Sequence, residues 1–275
     1  MKGVLRAFRS YISLQPLDLK SFTALSYCYF SAGIHRLTSH NFLTVGGYLR
    51  SDVRVKTREG IVCYARKNSE DLGYYARTAK PYTSKWFRPI RGEIVADCGA
   101  SVGIFSLLAA TRGAKVFSFE PNPETFSILK RNIEANGLSK AVIPFNLGLS
   151  DKEGELELVV PGTFTGTSSF EENWNEELRK RTGVKYLVRT KTLDSLLEEE
   201  KEIDWLLIDV ESHEHKLLMG AVKSLKKTKN IIIEVSHNNR EVVLNMIIDS
   251  GFRIVDKGEP DSQTQYYLFQ HKVNS

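Results

Sequence analysis

The sequence predicts an α/β fold in which helices cover both faces of a mostly parallel sheet. From Gly92 onward, short apolar runs alternate with longer segments that have helical periodicity. The end of the chain breaks this alternation. Two strand-like runs, FRIVDKG and QYYLFQHK, follow one another there without a helix between them, so we expect them to pair antiparallel.

The alternation defines a series of elements between Gly92 and Ser250. The predicted strands are Glu93–Asp97, Lys115–Glu120, Val142–Asn146, Trp205–Asp209 and Asn230–Val235. The predicted helices are Gly103–Arg112, Pro123–Asn136, Glu214–Lys226 and Asn239–Ser250. An insertion over residues 151–197 separates the third and fourth strands. It contains a strand-like run, ELELVV, and a loop rich in Gly, Thr and Ser, PGTFTGTSSF.

The first 91 residues form a separate region in sequence terms. Two helices are predicted from apolar residues at helical spacing, namely Val4, Leu5, Phe8 and Ile12 in the first and Phe22, Leu25, Tyr29 and Ala32 in the second. Ser21 is the expected N-cap of the second helix. Residues 52–65 alternate apolar and polar side chains around Glu59-Gly60, which predicts a β-hairpin. We therefore divide the chain into an extension, 1–91, and a main domain, 92–275.

Charge is distributed unevenly between these regions. Residues 1–90 contain 15 Lys and Arg against 5 Asp and Glu, a net charge of +10, whereas residues 91–275 contain 23 against 28, a net charge of −5. Such a basic layer is either a solvated surface or a surface that attracts phosphate, nucleic acid or lipid. The first predicted helix mixes Leu5 and Phe8 with three cations, a mixture that also suits a helix lying on anionic lipid.

Composition narrows the class of protein. The hydrophobic fraction of 41% is ordinary for a soluble globular domain. No apolar run approaches the roughly 18 residues of a transmembrane helix. Lys2, Arg6 and Arg9 interrupt the apolar pattern at the N-terminus, which argues against a secretory signal. The 3 cysteines show no paired spacing, so we expect a reduced, cytoplasmic setting. Within that setting, the protein is also expected to be able to contact a membrane peripherally.

A ligand site is predicted where the first two strands of the main domain end. Asp97 is followed by two spaced glycines, Gly99 and Gly103, which let the backbone turn sharply near a ligand. Glu120 ends the next strand, 21 residues after Gly99. A carboxylate in that place accepts hydrogen bonds from both hydroxyls of a ribose. The ligand is therefore expected to carry a ribose.

The loop differs from those that bind phosphates. Ser101 replaces the second glycine of a dinucleotide fingerprint, and the Gly-Lys-Ser/Thr of a P-loop is missing. Asp97 would repel phosphate but suits a cationic ligand or an ammonium group. A ribonucleoside that carries a cation and an amino acid is S-adenosylmethionine, which we predict as the cofactor.

Two longer motifs carry a family resemblance. The runs DCGASVGIFSLLAATRGAKVFSFEPNPETFSILKRNIEANGL and VRTKTLDSLLEEEKEIDWLLIDVESHEHKLLMGA, followed by IIIEV, resemble the FkbM family of S-adenosylmethionine-dependent methyltransferases. The resemblance covers Gly92 to the C-terminus and implies a class I, Rossmann-like fold with a seven-stranded sheet whose last strand is antiparallel. Ser212 stands where the family usually has glycine, and Ser101 where asparagine is common.

The resemblance implies roles for individual residues by position. The cofactor-binding residues are expected to be Asp97, Gly99, Ala100, Ser101, Gly103, Glu120, Pro121, Asn122, Asn146 and Leu147. The fourth strand should end beside the reactive methyl group, and an alcohol acceptor needs a base for its proton. The candidates for catalysis are Asp209, Glu211, His213 and His237. Their spacing matches no known set of metal ligands, so no metal is predicted.

Three functions fit this sequence. The first is O-methylation of a sugar, a glycan or a related metabolite, with a phosphorylated or lipid-linked acceptor attracted by the basic extension. The second is methylation of RNA such as tRNA, with Tyr74, Tyr75, Tyr82 and Trp86 stacking on bases. Against it, the fourth strand ends in Asp-Val-Glu-Ser rather than the Asn/Asp-Pro-Pro-aromatic run of many base methyltransferases. The third is a non-catalytic binding protein on the same fold.

Overall fold

The computed structural model describes residues 14–38, 49–76, 85–161, 168–171, 183–260 and 264–272. The helix predicted around Val4 to Ile12 and the side chain of Tyr82 lie outside these residues. None of the helices within the described residues has the length and apolar character needed to cross a bilayer.

The predicted elements that fall on the described residues are present, apart from one helix that is divided, and their ends shift by one or a few residues. The strands are β1 (Gln15–Pro16), β2 (Val53–Lys56), β3 (Val62–Ala65), β4 (Ile94–Cys98), β5 (Lys115–Phe119), β6 (Val142–Phe145), β7 (Gly148–Leu149), β8 (Gly154–Val160), β9 (Val184–Lys191), β10 (Ile203–Ile208), β11 (Thr228–Ser236), β12 (Phe252–Lys257) and β13 (Thr264–His271). The helices are α1 (Leu19–Thr38), α2 (Asp71–Ala76), α3 (Ile104–Thr111), α4 (Pro123–Ala135), α5 (Leu193–Leu196), α6 (Glu214–Met219), α7 (Val222–Lys226) and α8 (Arg240–Asp249).

The central sheet has seven strands in the order β12-β13-β11-β10-β4-β5-β6. Strand β13 pairs antiparallel with both β11 and β12, whereas the pairs from β11 to β6 are parallel. This confirms the seven-stranded sheet with an antiparallel last strand. The strand order reverses between β4 and β10, so the cleft for a ligand is expected beyond their carboxyl ends.

One predicted helix is divided into two in the structure. The segment from Glu214 to Lys226 forms two helices, α6 and α7, instead of one. Gly220 lies between the two helices, and a Cβ there would be 2.1 Å from the carbonyl oxygen of Ser150. The backbone of Ser150 therefore leaves no room for a side chain at the point where the first helix ends. The carboxylate of Asp194 then accepts hydrogen bonds from the amides of Lys223 and Ser224, at 2.9 and 2.7 Å, and starts the second helix.

The cap of α1 also differs from the prediction. The carboxylate of Asp18, not the hydroxyl of Ser21, accepts the free amide at the helix start, with the Ser21 N–H at 2.7 Å. Ser21 is buried, and its hydroxyl accepts the Arg54 N–H at 2.9 Å. Both residue types are good caps, and the contact of Ser21 with the hairpin decides between them.

The hairpin of β2 and β3 is confirmed, and it docks on α4 through two asparagines. Asn136 accepts the Val62 N–H at 2.9 Å and donates to the Val62 carbonyl at 2.7 Å. Asn132, one helical turn earlier, accepts the Tyr64 N–H at 2.8 Å and donates to the carbonyl of Val102 at 2.8 Å. The two amides therefore connect the free edge of β3 to the glycine loop that follows β4.

The hairpin and the sheet share one apolar core. Val55 and Cys63 from the hairpin are buried in the same cluster as Val95 and Leu107. A second cluster, which includes Ile208 and Ile233, fills the opposite face of the sheet. All 3 cysteines are buried and free, as expected for a protein without disulfides.

Two of the aromatic residues predicted to stack on RNA bases lie inside this core. Tyr75 is fully buried, and its hydroxyl donates to the carbonyl of Tyr64. Trp86 is 7% exposed and donates from its ring nitrogen to Asp256 at 2.9 Å. These two rings therefore offer no stacking surface. Tyr74 is also buried but lines the cleft described next.

Candidate functional site

A cleft of about 620 Å³, including the solvent at its mouth, opens beyond the carboxyl ends of β4, β5 and β10. A second cavity of about 450 Å³ shares Tyr74, Gly99, Ser101 and Asp209 with it, so the two are neighbouring parts of one site. The cleft lies where the sequence predicted it.

Both glycines of the loop after β4 have a left-handed backbone, and at Gly99 the neighbouring backbone also excludes a side chain. Gly99 has φ +83°, and a Cβ there would lie 1.9 Å from the carbonyl oxygen of Asp209. Gly103 has φ +91°, and a Cβ there would lie 2.4 Å from the side chain of Leu129. The sequence predicted that these glycines let the backbone turn sharply near a ligand. The structure adds a further role, because they also let the loop after β4 contact the end of β10 and helix α4.

Glu120 follows β5 and is 6% exposed. One carboxylate oxygen accepts the Ser101 N–H at 2.8 Å, and the other accepts the Asn122 N–H at 2.9 Å. Burial raises the pKa of Glu120 to about 7, although the two amides lower it in part. The carboxylate thus connects the glycine loop to the next loop, and it also lines the cleft.

Asp97 lies at the other end of the site. It is 2% exposed, lines the smaller cavity and accepts a hydrogen bond of 2.5 Å from the hydroxyl of Ser106. Burial raises its pKa to about 6, and the Ser106 hydrogen bonds oppose this rise. Ala100 lines the same cavity. An acid in this place favours a cationic group on a ligand.

The four remaining predicted cofactor-binding residues, Pro121, Asn122, Asn146 and Leu147, divide into two groups. Pro121 and Leu147 line the cleft. The side chain of Asn122 instead caps α4, accepting the Glu124 N–H at 3.0 Å. Asn146 donates to the carbonyls of Glu120 and Pro121 at 2.9 and 3.1 Å. Both asparagines therefore shape the loop around Glu120.

The insertion contributes residues to the cleft that no sequence signal indicated. Ser168 and Phe170 both line it. The hydroxyl of Ser169 donates to the carbonyl of Glu211 at 2.6 Å, which fastens this segment to the loop after β10. The Gly/Thr/Ser composition of the loop predicted only irregular structure, so the long-range contact had no local signal.

The four candidates for catalysis are not all in one place. Asp209, Glu211 and His213 line the cleft. His213 is 4% exposed, and its ring nitrogens contact Glu171 at 2.7 Å and the hydroxyl of Ser150 at 3.1 Å. His237 lies on an exposed 3-10 turn outside the lining of both cavities.

Acidic side chains gather where the fourth and fifth parallel strands end. Among the described residues, Asp209, Glu211 and Glu234 offer carboxylate oxygens that all lie within 4.8 Å of one another. The hydroxyl of Tyr266 donates to Asp209 at 3.1 Å, and that of Thr264 donates to Glu234 at 2.7 Å. Carboxylates in this arrangement accept protons or bind a cation, so the prediction of no metal stays open to test.

The turn after β10 is strained. Glu211 has φ 49° and Ser212 has φ 75°, in a region where side chains cost about 1 kcal/mol. The Ser212 N–H donates to the buried carboxylate of Glu214 at 3.0 Å, and Asn239 donates to the Ser212 carbonyl at 2.7 Å. These bonds hold the left-handed turn in which the resembling family usually has glycine. Burial raises the pKa of Glu214 to about 7.

Comparisons with known proteins agree with this geometry. Residues 97–254 match the family model described as the Methyltransferase FkbM domain. Methyltransferase sdnD of Sordaria araneosa is 29% identical over 196 residues, which are 60% of this chain and 76% of the relative. Hexuronic acid methyltransferase AglP of Haloferax volcanii is 29% identical over 187 residues, 61% of this chain and 73% of the relative.

One solved structure has the same family name. The crystal structure of Methyltransferase FkbM from Methylobacillus flagellatus KT superposes with a TM-score of 0.46 at 18% identity. The match covers 71% of this chain and 52% of that one, so the present chain corresponds to about half of its length.

Proposed function

Because this chain belongs to the FkbM methyltransferase family, we propose that it transfers a methyl group from S-adenosylmethionine to a hydroxyl of a sugar, a glycan or a related metabolite. The observation that carries this proposal is the carboxylate of Glu120, which faces the cleft beside the glycine loop at the point where the strand order reverses.

The residues of the cleft fit this cofactor. Each oxygen of Glu120 accepts one amide and has a further lone pair for a ribose hydroxyl. Asp97 supplies negative charge for the ammonium group. Leu147, Leu149 and Phe170 give the larger cavity apolar walls suited to the adenine ring. When bound, S-adenosylmethionine supplies an electrophilic methyl carbon, so the protein has mainly to orient the acceptor and remove its proton.

Asp209 and Glu211 are the best-placed bases for that proton. Both line the cleft, at the end of β10 where the acceptor would enter. His213 lines it too, but its two ring nitrogens contact Glu171 and Ser150, so we assign it to positioning the loop. His237, exposed on its turn, is the weakest of the four candidates.

A sugar acceptor is supported by two observations. AglP, a relative at 29% identity, is by name a hexuronic acid methyltransferase. The basic extension, with its 15 Lys and Arg against 5 acids, attracts an acceptor that carries a carboxylate or a phosphate. Non-catalytic binding is the less favoured reading, because Glu120, Asp97 and the glycine loop form an intact site.

Calorimetry with S-adenosylmethionine and its demethylated product tests the cofactor assignment. The wild-type chain should bind both, and Glu120→Gln should weaken binding by about tenfold or more, since it removes a charged acceptor of hydrogen bonds. Glu155→Gln, at an exposed position on β8, is the matched control and should bind like the wild type. Absence of binding by the wild-type chain would refute the assignment.

An acceptor screen with a labelled methyl donor tests the reaction. It should include uronic acid sugars, phosphorylated sugars, polyprenyl-linked glycans and tRNA. With the acceptor in hand, Asp209→Asn or Glu211→Gln should lower kcat with little change in cofactor affinity, whereas His237→Ala should keep the wild-type rate. If tRNA alone is labelled, the acceptor is RNA and not a sugar. If both carboxylate variants keep the full rate, neither Asp209 nor Glu211 is the base. Repeating the assay with EDTA tests the expectation of no metal.

A further inference from the structure

Helix α1 exposes a stripe of large apolar side chains. Leu19 is 78% exposed, Phe22 56%, Tyr27 47% and Phe30 68%. At about 100° per residue, the four positions fall within about 140° of the helix circumference, so they lie on one side of the helix. The opposite side packs into the core, where Leu25 is 2% exposed. This stripe, Leu19–Phe22–Tyr27–Phe30, thus faces away from the protein.

The charge near the stripe is mostly positive. Between Asp18 and Asp52 the sequence contains no acidic residue, and the carboxylate of Asp18 itself lies 3.8 Å from the guanidinium of Arg54. Lys20 is exposed on α1. The exposed Arg50 lies over the ring of Tyr27, 5.5 Å from its centre, and donates to its hydroxyl at 3.3 Å. Two exposed cations, Lys20 and Arg50, therefore lie beside the apolar stripe.

We propose that this stripe docks the protein on an anionic lipid surface, with α1 lying in the plane of the interface. Apolar side chains flanked by cations and free of acids are what such a surface binds, because the rings enter the boundary of the acyl chains while the cations meet lipid phosphates. A highly exposed aliphatic residue such as Leu19 has no role on RNA, whose bases need flat rings. No described helix is suited to crossing a bilayer, so the contact is peripheral.

Vesicle sedimentation of the full chain tests this docking. The wild-type protein should sediment with vesicles of phosphatidylcholine mixed with phosphatidylglycerol, and much less with phosphatidylcholine alone. The double variant Phe22→Ser/Phe30→Ser should lower the partition coefficient by about tenfold or more, because it removes two of the rings that enter the interface. Lys20→Glu/Arg50→Glu should reduce binding to the anionic vesicles only.

Matched controls keep the result specific to α1. Val242→Ser/Ile248→Ser removes two exposed apolar side chains from α8, with exposures of 57% and 37%, and should bind vesicles like the wild type. Each variant should retain its thermal midpoint and its affinity for S-adenosylmethionine. Equal sedimentation of wild type and Phe22→Ser/Phe30→Ser would overturn the proposal. The proposal would also be overturned if the wild-type protein were a dimer that this variant converts to a monomer, because the stripe would then contact a second copy of the chain. Binding of tRNA that depends on the same two rings would overturn it as well.

Discussion

Replacement of Gly99 by alanine tests whether the glycine loop is fixed by the protein itself. The distance from the new Cβ to the Asp209 carbonyl oxygen would be 1.9 Å, whereas ordinary contact begins at 3.4 Å, so the ends of β4 and β10 must separate by about 1.5 Å. The left-handed φ costs about 1 kcal/mol for any side chain. Overpacking adds about 1–3 kcal/mol. Gly99→Ala should therefore lower the free energy of unfolding by about 3 kcal/mol.

Gly92→Ala is the matched control for this experiment. Gly92 has φ +87°, close to the +83° of Gly99, but a Cβ there would meet nothing within 4 Å. Its variant should lose only about 1 kcal/mol, the cost of the backbone angle. Urea unfolding followed by fluorescence measures both, and calorimetry should show weaker cofactor binding for Gly99→Ala alone. Equal loss of stability in the two variants would refute the argument from close approach.

Three other predictions concern buried charges. Because burial raises the pKa of Glu120 to about 7, the affinity of the wild-type chain for S-adenosylmethionine should fall from about pH 8 to about pH 6. The affinity of Glu120→Gln should fall less over this range, because only Asp97, with a pKa of about 6, still titrates there; parallel profiles would contradict this. In the unfolded chain Glu214 loses its proton near the ordinary pKa of 4.5, whereas burial raises its pKa in the folded chain to about 7. The free energy of unfolding should therefore decrease as the pH rises from about 4.5 to about 7. In urea titrations, Glu214→Gln should lack that decrease, which is on the order of 3 kcal/mol. Arg66→Met should lower the free energy of unfolding by about 3 kcal/mol, because the Asp71 carboxylate, which is 1% exposed, loses the guanidinium nitrogen that lies 2.8 Å from its oxygen. Adding Asp71→Asn to this variant should recover part of the lost stability.

The strands and their ligand-facing ends were predictable because their signals are local. Alternating apolar and helical runs located all five parallel strands from β4 to β11 apart from their exact ends. Glu120 was found because an acid directly after a buried strand has no role in the core, and the structure places it in the cleft. The absence of a helix before the last strand was enough to predict its antiparallel pairing.

Other parts of the site depend on contacts between distant segments, for which the sequence has no local pattern. Phe170 is brought to the cleft by contacts between distant residues, among them the bond of Ser169 to Glu211 and the contact of Glu171 with His213. His213 follows a strand end, as a base would, but its contacts with Glu171 and Ser150 are 42 and 63 residues away along the chain. The roles of Gly99 and Gly103 were similarly hidden, because the atoms that exclude a side chain belong to other elements.

The two asparagines that join α4 to β3 restrict how this protein can be rebuilt. A chain that began at residue 92 would leave Asn132 without the Tyr64 amide while it still held the Val102 carbonyl. The segments on the two sides of this boundary are therefore not interchangeable between relatives. A successful chimera must carry β3 and α4 from the same parent.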